Sequence, residues 1–461
     1  MTVKRIYWIV ILVVLSFALG GSAIQARIER DPEDASPETT PQRTPVAPAL
    51  SQPPLDAAAP SVSPTPLGYI PPSRPQVVPI IYRFFDWAND WQTLHPEYGP
   101  IGSIHFTMWE TVNPAQGVYD WTEVDNLLAK ESKFSVTLQN GQVISKPVVI
   151  QIFPYISSYP GWDDVYFYDG TPKWVYDRID AENPSNPRPV VNGHKVGYKL
   201  TGCGKVAVLP MYDSLTWQNA YYDCIRAFGA RYNNHPQVTA VVINTGLDGE
   251  PELIKDFYCN WEYLVDTTLP AGVRYRFGQH LTKSMDVYRA AFPNKQIFIN
   301  NAPGGSGIRK STSDYAASLN PPIGIKHSGM WVDLDSHQGY GDFTGSWDMV
   351  KTYSMTLPIW LESPYGFGSS ELKYWAFLAG LHYHPDAIDV HPDFLTMTSP
   401  DILRWVGQHL GVTIQNTPSV WTVLRDYEYP LQSWGSGGVS GKMGDWSFWL
   451  VRKDMTDGRA V

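Results

Sequence analysis

The chain has 461 residues, about three times the usual ~150-residue domain, so one large domain with additions is expected. It is 43% hydrophobic and 17% charged, which excludes a disordered or fibrous chain. A nucleic-acid binder normally shows a basic face, so with a formal net charge of -10 DNA and RNA are poor candidates and no nucleic-acid partner is expected.

Aromatic residues make up 13% of the chain, with 18 Trp and 27 Tyr. Flat amphipathic rings in such number suit stacking on sugar faces. They equally suit a large aromatic core, and composition leaves both open. Three cysteines are too few for a disulfide scaffold.

Lys4 and Arg5 precede an apolar run from Ile6 to Leu19, which ends in Gly20-Gly21-Ser22-Ala23. A basic start, an apolar stretch shorter than a ~20-residue span and a small-residue exit describe a secretory signal peptide over residues 1–26. Uncleaved, the same segment is an N-terminal anchor. From Arg27 to about Gln76 the chain is rich in Pro, Ala, Ser and Thr and has almost no apolar periodicity. It cannot offset its ordering entropy by burial and reads as a Pro-rich tether over residues 27–77. The expected location is secreted or at the cell envelope, with the folded domain held off a membrane or wall.

Eight strand candidates follow: Val78–Phe84, Ile101–Met108, Pro147–Phe153, Val238–Asn244, Gln296–Asn300, Pro322–His327, Leu357–Leu361 and Ala387–Val390. Each is short and mostly apolar, as a strand buried on both faces should be. Helical patterns intervene, most clearly Trp217 to Tyr232, Gly278 to Phe292 and Leu372 to Leu381. Strands alternating with helices predict a parallel sheet, and eight such units over residues 78–410 predict an α/β fold of the (β/α)₈ TIM-barrel type. The alternative is a doubly wound open sheet. No Gly-rich phosphate loop follows the first strand, so nothing supports a nucleotide fold.

Two connections are too long for plain turns. Phe153 to Ser214 carries Tyr155, Trp162, Tyr166, Tyr168 and Trp174; Gly329 to Met355 carries Trp331, Asp333, Asp335, His337 and Tyr340. Ordinary βα loops run ~2–6 residues, so these aromatic-rich ones read as ordered functional loops at the C-terminal face of the barrel. Residues 411–461 change pattern. Val420–Arg425 and Trp446–Val451 look like strands separated by the Gly/Ser-rich Ser433 to Gly444, a β-rich segment resembling the start of an accessory domain.

Glu250 lies in a run of acidic residues after the fourth strand, Asp248-Gly249-Glu250-Pro251-Glu252, and Glu362 directly follows the seventh. A retaining glycosidase needs two carboxyls ~5–5.5 Å apart, one protonated to donate to the leaving oxygen and one ionised to attack the anomeric carbon. Strands four and seven could aim two Glu side chains at one point, although any barrel has several acidic residues on its top face.

The run Trp109-Glu110-Thr111-Val112-Asn113-Pro114-Ala115-Gln116-Gly117-Val118-Tyr119-Asp120-Trp121, with Asp125 beyond it, resembles the signature after the second strand of clan A glycoside hydrolases. The nearest likeness is to the catalytic domain of family 42 beta-galactosidases. Arg231-Tyr232-Asn233-Asn234-His235-Pro236-Gln237-Val238 resembles their lead-in to the fourth strand. The resemblance, from about Val78 to Leu410, implies an acid/base at Glu250 and a nucleophile at Glu362, acting by double displacement on an oligo- or polysaccharide. Two positions depart from the family. Gly249 stands where an Asn usually precedes the acid/base, and Asn113 where a Glu precedes the Pro of the second-strand motif. The first departure leaves Glu252 as a rival acid. The alternative function is a non-catalytic carbohydrate-binding barrel.

Other residues are weighed by position. Glu110 and Asp120 are expected to brace the second loop. Trp109, Trp331, Trp360 and Tyr365 follow strand ends, where they floor a sugar subsite or fill the core. Asn244, Asn300, Asn301, His327 and His391 end strands or follow them, where polar groups face the cleft and contact substrate. His382, His384, His391 and Asp386 invite a metal reading, but His382-Tyr383-His384 belongs to a helix-to-strand link at the opposite end of the barrel from His391. No shared ion and no cofactor are expected. Cys224 lies in a helix and reads as a buried thiol. Cys203 and Cys259 lie in adjacent top-face loops and are expected to pair in an exported protein.

Overall fold

The computed structural model describes residues 78–84, 98, 100–138, 141–160, 162, 164–255, 259–301, 307–328, 330, 346–354, 356–363, 376–377, 380–381, 383–391, 400–411, 442–443 and 446–447. The expected signal segment and tether, Trp331, Tyr365, His382 and Val420–Arg425 lie outside these residues.

Eight parallel strands close into a barrel. They are β1 (Ile81–Phe84), β2 (Ile101–Met108), β3 (Val148–Phe153), β4 (Val238–Ile243), β5 (Gln296–Asn301), β6 (Gly324–Ser328), β7 (Ile359–Glu362) and β8 (Ala387–Val390). Closure is direct: Ile81 of β1 pairs with Ile101 of β2 on one side and Ile388 of β8 on the other. The fold is thus the TIM barrel that the strand count predicts, and the open-sheet alternative fails. Outside it lie α1 (Thr122–Glu131), α2 (Lys173–Glu182), α3 (Leu215–Tyr232), α4 (Trp261–Thr268), α5 (Val273–Ala291), α6 (Gly307–Ser318), α7 (Ser346–Tyr353) and α8 (Pro400–Gln408). Ser214 starts α3 two residues before the predicted point, because its hydroxyl accepts the Trp217 backbone N–H at 3.3 Å and caps the helix.

Side-chain alternation sorts each strand into an inner and an outer set. Val149, Ala240, Val242, Phe298, Trp360 and Ala387 join Ile80, Tyr82 and Ile104 in one cluster that fills the barrel. Val148, Ile150, Ile152, Val241, Ile243, Ile297 and Ile299, one residue out of phase, pack against the helices in a second cluster. Inside, Trp360 lies 4.7 Å from the Tyr82 ring centre and 5.3 Å from that of Phe298, edge-on to the latter. Gly324 makes room for this stack, since a Cβ there would sit 2.7 Å from the Phe298 ring. This aromatic layer is the floor on which the polar groups stand.

The long connection after β3 is a built substructure, as its aromatic content predicts. Tyr155–Ile156 pairs with Tyr168–Asp169, and Val165–Tyr166 joins the hairpin Tyr198–Gly202/Lys205–Leu209 in a three-stranded sheet. Cys203 at that hairpin's tip is joined to Cys259 ahead of α4, with Cα atoms 6.0 Å apart. Cys224 is the buried free thiol of α3. Residues 85–97 after β1 and 331–345 after β6 lie outside the described residues. In the C-terminal segment, Lys442–Met443 pairs antiparallel with Trp446–Ser447. Among the described residues no helix is long and apolar enough to cross a membrane.

The motifs that carried the family resemblance meet each other. Arg231 of α3 forms an ion pair with Asp125 of α1, and the Tyr232 hydroxyl donates to Asp125 Oδ1 at 2.8 Å. Asn113 accepts from Trp109 Nε1 at 3.2 Å and donates to the carbonyls of Ala115 and Val118. It pins the turn after β2. Glu110 accepts from the Tyr168 hydroxyl and Asp120 from the Thr122 backbone N–H, so both brace the second loop as expected.

Candidate active site

The inner phase of β5 to β8 becomes polar above the aromatic floor. Lys326 and Ser328 on β6, Glu362 on β7 and Asp389 on β8 share one side of the barrel mouth. Lys326 is 1% exposed, and its Nζ bonds Glu362 Oε2 and lies 3.4 Å from Asp389 Oδ1. The Ser328 hydroxyl lies 3.2 Å from Glu362 Oε2 and 3.2 Å from Asn300 Oδ1. His391 Nε2 is 3.3 Å from Glu362 Oε1. Trp360 Nε1 donates upward from the floor to Asp389 Oδ1 at 2.5 Å.

This surrounding fixes the charge of Glu362. Burial alone would raise its carboxyl, but the Lys326 ammonium and the His391 contact outweigh that and hold it well below the usual carboxylate range. Asp389 behaves oppositely. Burial pushes it up, and the like charge of Glu362 adds to this against the pull of Lys326 and Trp360.

Glu250 stands on a different device. After β4 the chain makes one tight turn, Leu247–Gly249, with Asp248 at φ 56° and Gly249 at φ 79°. Leu247 N donates to Glu252 O at 2.9 Å and Glu250 N to Leu247 O at 3.0 Å, so the acidic run folds back on itself. Lys255 lies 2.8 Å from Glu250, 3.2 Å from Asp248 and 4.0 Å from Glu252. One ammonium faces three carboxyls. Burial therefore raises the Glu250 carboxyl and, with Lys255 opposing and Glu252 and Asp248 reinforcing, it reaches about 8. Glu252 is occupied elsewhere, bonded to the 1%-exposed Arg309 of α6. Its carboxylate serves as counter-ion to a buried guanidinium.

Gly249 also has a physical reason. A Cβ there would lie 2.2 Å from Asn244 Oδ1, and φ 79° disfavours any side chain. The Asn244 amide, fully buried at the end of β4, occupies the space beside Glu250 that a side chain at 249 would need.

The predicted site residues therefore divide. Asn300, His391 and Glu362 are brought together, and Asn244 lies against the Glu250 turn. Four others are corrected. Trp109 is fully buried behind the barrel, edge-on to Trp217 and Tyr221 at 5.2 Å. Trp360 is floor, not subsite. Asn301, one residue after Asn300, takes the outer phase and donates to Ser313 of α6 at 3.0 Å. His327 does likewise and is fully buried, its basicity depressed by burial and by nearby Arg309. For Asn301 and His327 one residue of strand phase turned the side chain away from the mouth, whereas Trp360 keeps the inner phase but lies lower in the barrel. Asp386 accepts from Ile359 N at 2.9 Å at the start of β7, the end of the barrel opposite His391, as the sequence reading required. Sequence reasoning missed Lys326, Ser328, Asp389, Lys255 and Arg309. Strand alternation counted from Glu362 would have found the first three.

No protein family model and no curated protein match the sequence. Among solved structures, the chain is similar to an endo-1,4-beta-xylanase from Caldicellulosiruptor owensensis at 12% identity and TM-score 0.33, over 64% of this chain and 85% of that one. It is similar to a beta-galactosidase from the psychrophilic Marinomonas ef1 at 12% identity and TM-score 0.38, over 77% and 61%. A beta-galactosidase from Halorubrum lacusprofundi gives 13% identity and TM-score 0.36, over 71% and 56%. The chain thus spans less than two thirds of either beta-galactosidase, and its barrel topology rests on its own strand register.

Proposed function

We propose that the protein is an exported retaining glycoside hydrolase acting on an oligo- or polysaccharide, with Glu362 as nucleophile and Glu250 as acid/base. The observation that carries this reading is the opposite environment of the two carboxyls. Lys326 and His391 hold the Glu362 carboxyl low, whereas burial, with Asp248 and Glu252 reinforcing and Lys255 opposing, raises the Glu250 carboxyl to about 8. A nucleophile must be charged and an acid must be protonated. In the first step Glu250 gives its proton to the glycosidic oxygen while a Glu362 oxygen bonds the anomeric carbon, and the leaving alcohol departs. In the second, Glu250, now ionised, takes a proton from water, whose oxygen displaces Glu362 and regenerates both groups. Asn300 and His391, beside Glu362, and Asn244, beside the Glu250 turn, are the proposed substrate contacts. Trp331 and Tyr365 keep the aromatic role that their sequence positions suggest. The family 42 resemblance makes a beta-galactoside the first substrate to try.

The test is a screen of nitrophenyl glycosides and polysaccharides with the purified protein and its variants. Glu362→Gln should abolish turnover. Glu250→Gln should keep the first step on substrates with very good leaving groups, which need little protonation. Full activity in both variants would refute the assignment. Binding of oligosaccharides with no hydrolysis of any would replace the enzyme by a carbohydrate-binding barrel.

A further inference from the structure

Among the described residues, the Lys326 ammonium lies inside the barrel between two carboxyls from different strands. If both were ionised, the enclosed group would carry an excess negative charge, which burial opposes strongly. A proton held within the group, on a carboxyl or on His391, relieves this, and the hydrogen-bond geometry favours one place. Glu362 accepts from Lys326 and Ser328, and its second oxygen faces His391. Asp389 gathers its contacts on one oxygen only: Trp360 Nε1 and Lys326 Nζ both address Oδ1. Its Oδ2 is buried with no hydrogen-bond partner. A bare carboxylate oxygen in that position costs far more than a hydroxyl. Tyr82 of β1 stands opposite Asp389 in register, Arg83 opposite Val390, and the Asp389 carbonyl accepts from Ser363 N at 2.9 Å.

We propose that Lys326 and Asp389 form a positioning unit for the nucleophile: Lys326 aims Glu362 and keeps it charged, and Asp389 carries the cluster's proton on Oδ2. The proposal deepens the assignment of Glu362 as nucleophile and rests on it. Removing the ammonium leaves two carboxyls competing for the remaining donors, so Glu362 becomes the harder group to ionise. Asp389 acts only through Lys326 and does not meet the substrate.

Two measurements on the full chain test it. In the pH profile of kcat/KM on an activated aryl glycoside, Lys326→Met should move the acid limb up by about 1–3 pH units. Lys326→Arg should restore most of that shift. An unmoved limb in Lys326→Met would overturn the role of Lys326. The second measurement needs no substrate: urea unfolding of wild type and Asp389→Asn from pH 4 to pH 7. A proton held by Asp389 in the folded state makes wild type gain on the variant at low pH. The ratio of their folding constants should then fall by up to about tenfold per pH unit as pH rises through this window. A ratio that rises with pH would show Asp389 ionised and overturn the proposal. If wild type hydrolyses no glycoside, the functional reading fails while the urea series still decides where the proton sits.

Discussion

A Cβ on Gly249 would fall 2.2 Å from Asn244 Oδ1, so the residue before Glu250 is glycine because the amide from the end of β4 already lies there. The departure from the resembled pattern, glycine in place of asparagine before Glu250, thus has a local steric cause. Gly249→Ala should destabilise the protein by about 2 kcal/mol or more, from the positive φ together with the clash. Gly249→Asn, which puts back the residue usual in the family, should be at least as harmful. Urea unfolding of the two variants measures this; wild-type stability in Gly249→Asn would refute the account.

Glu252 should show a stability phenotype without a chemical one. Glu252→Gln leaves the buried Arg309 guanidinium without its counter-charge, at a cost of about 2 kcal/mol. Its leaving-group dependence should stay that of wild type. If instead slow substrates lose activity and activated ones keep it, the acid lies at 252.

The raised Glu250 carboxyl sets a basic limb. As general acid it works while protonated, so the rate should fall as pH rises through about 8, and Glu250→Gln should remove that limb. Stability follows the same sign. A carboxyl raised on folding contributes most at low pH, and that contribution fades from the ordinary carboxylate range up to about pH 8. Lys255→Met should push the limb higher and destabilise the turn, because three carboxyls then converge with no ammonium. A limb that moves down would contradict the charge argument.

Thiol counting tests the covalent tie. Unreduced protein should show one reactive thiol after denaturation, from Cys224, and three after reduction. With Cys203 and Cys259 separated by 56 positions in sequence, chain entropy assigns the bond about 4 kcal/mol. Reduction should lower the urea midpoint accordingly. Three thiols without reductant would dismiss it.

The eight strands were legible because each is a short, mostly apolar run buried on both faces, and eight such runs alternating with helices suit a barrel, with closure deciding against the open sheet. The site was legible only in part, because a strand end names a position and not a direction. Asn300 and Asn301 are neighbours in sequence, yet one reaches Ser328 inside the barrel and the other Ser313 on α6. Trp360 and Glu362 share the inner phase, two residues apart, and height in the barrel makes one floor and the other site. Lys326 and Asp389 look out of place in apolar strands. Their meaning depends on β6 and β8 both flanking β7, which closure of the barrel decides.

The Asp248 side chain joins two parts of the chain that a protein engineer would like to exchange separately. Its Oδ1 accepts from Ser157 N at 2.7 Å, and the disulfide binds the same two regions again on the far side of Lys255. The insertion after β3 and the turn bearing Glu250 are consequently a single heritable module. A chimera that imports a foreign β3 loop would lose the Ser157–Asp248 contact and shift the turn that carries Glu250. Recombination should succeed only when the donor supplies residues 153–259 as one block.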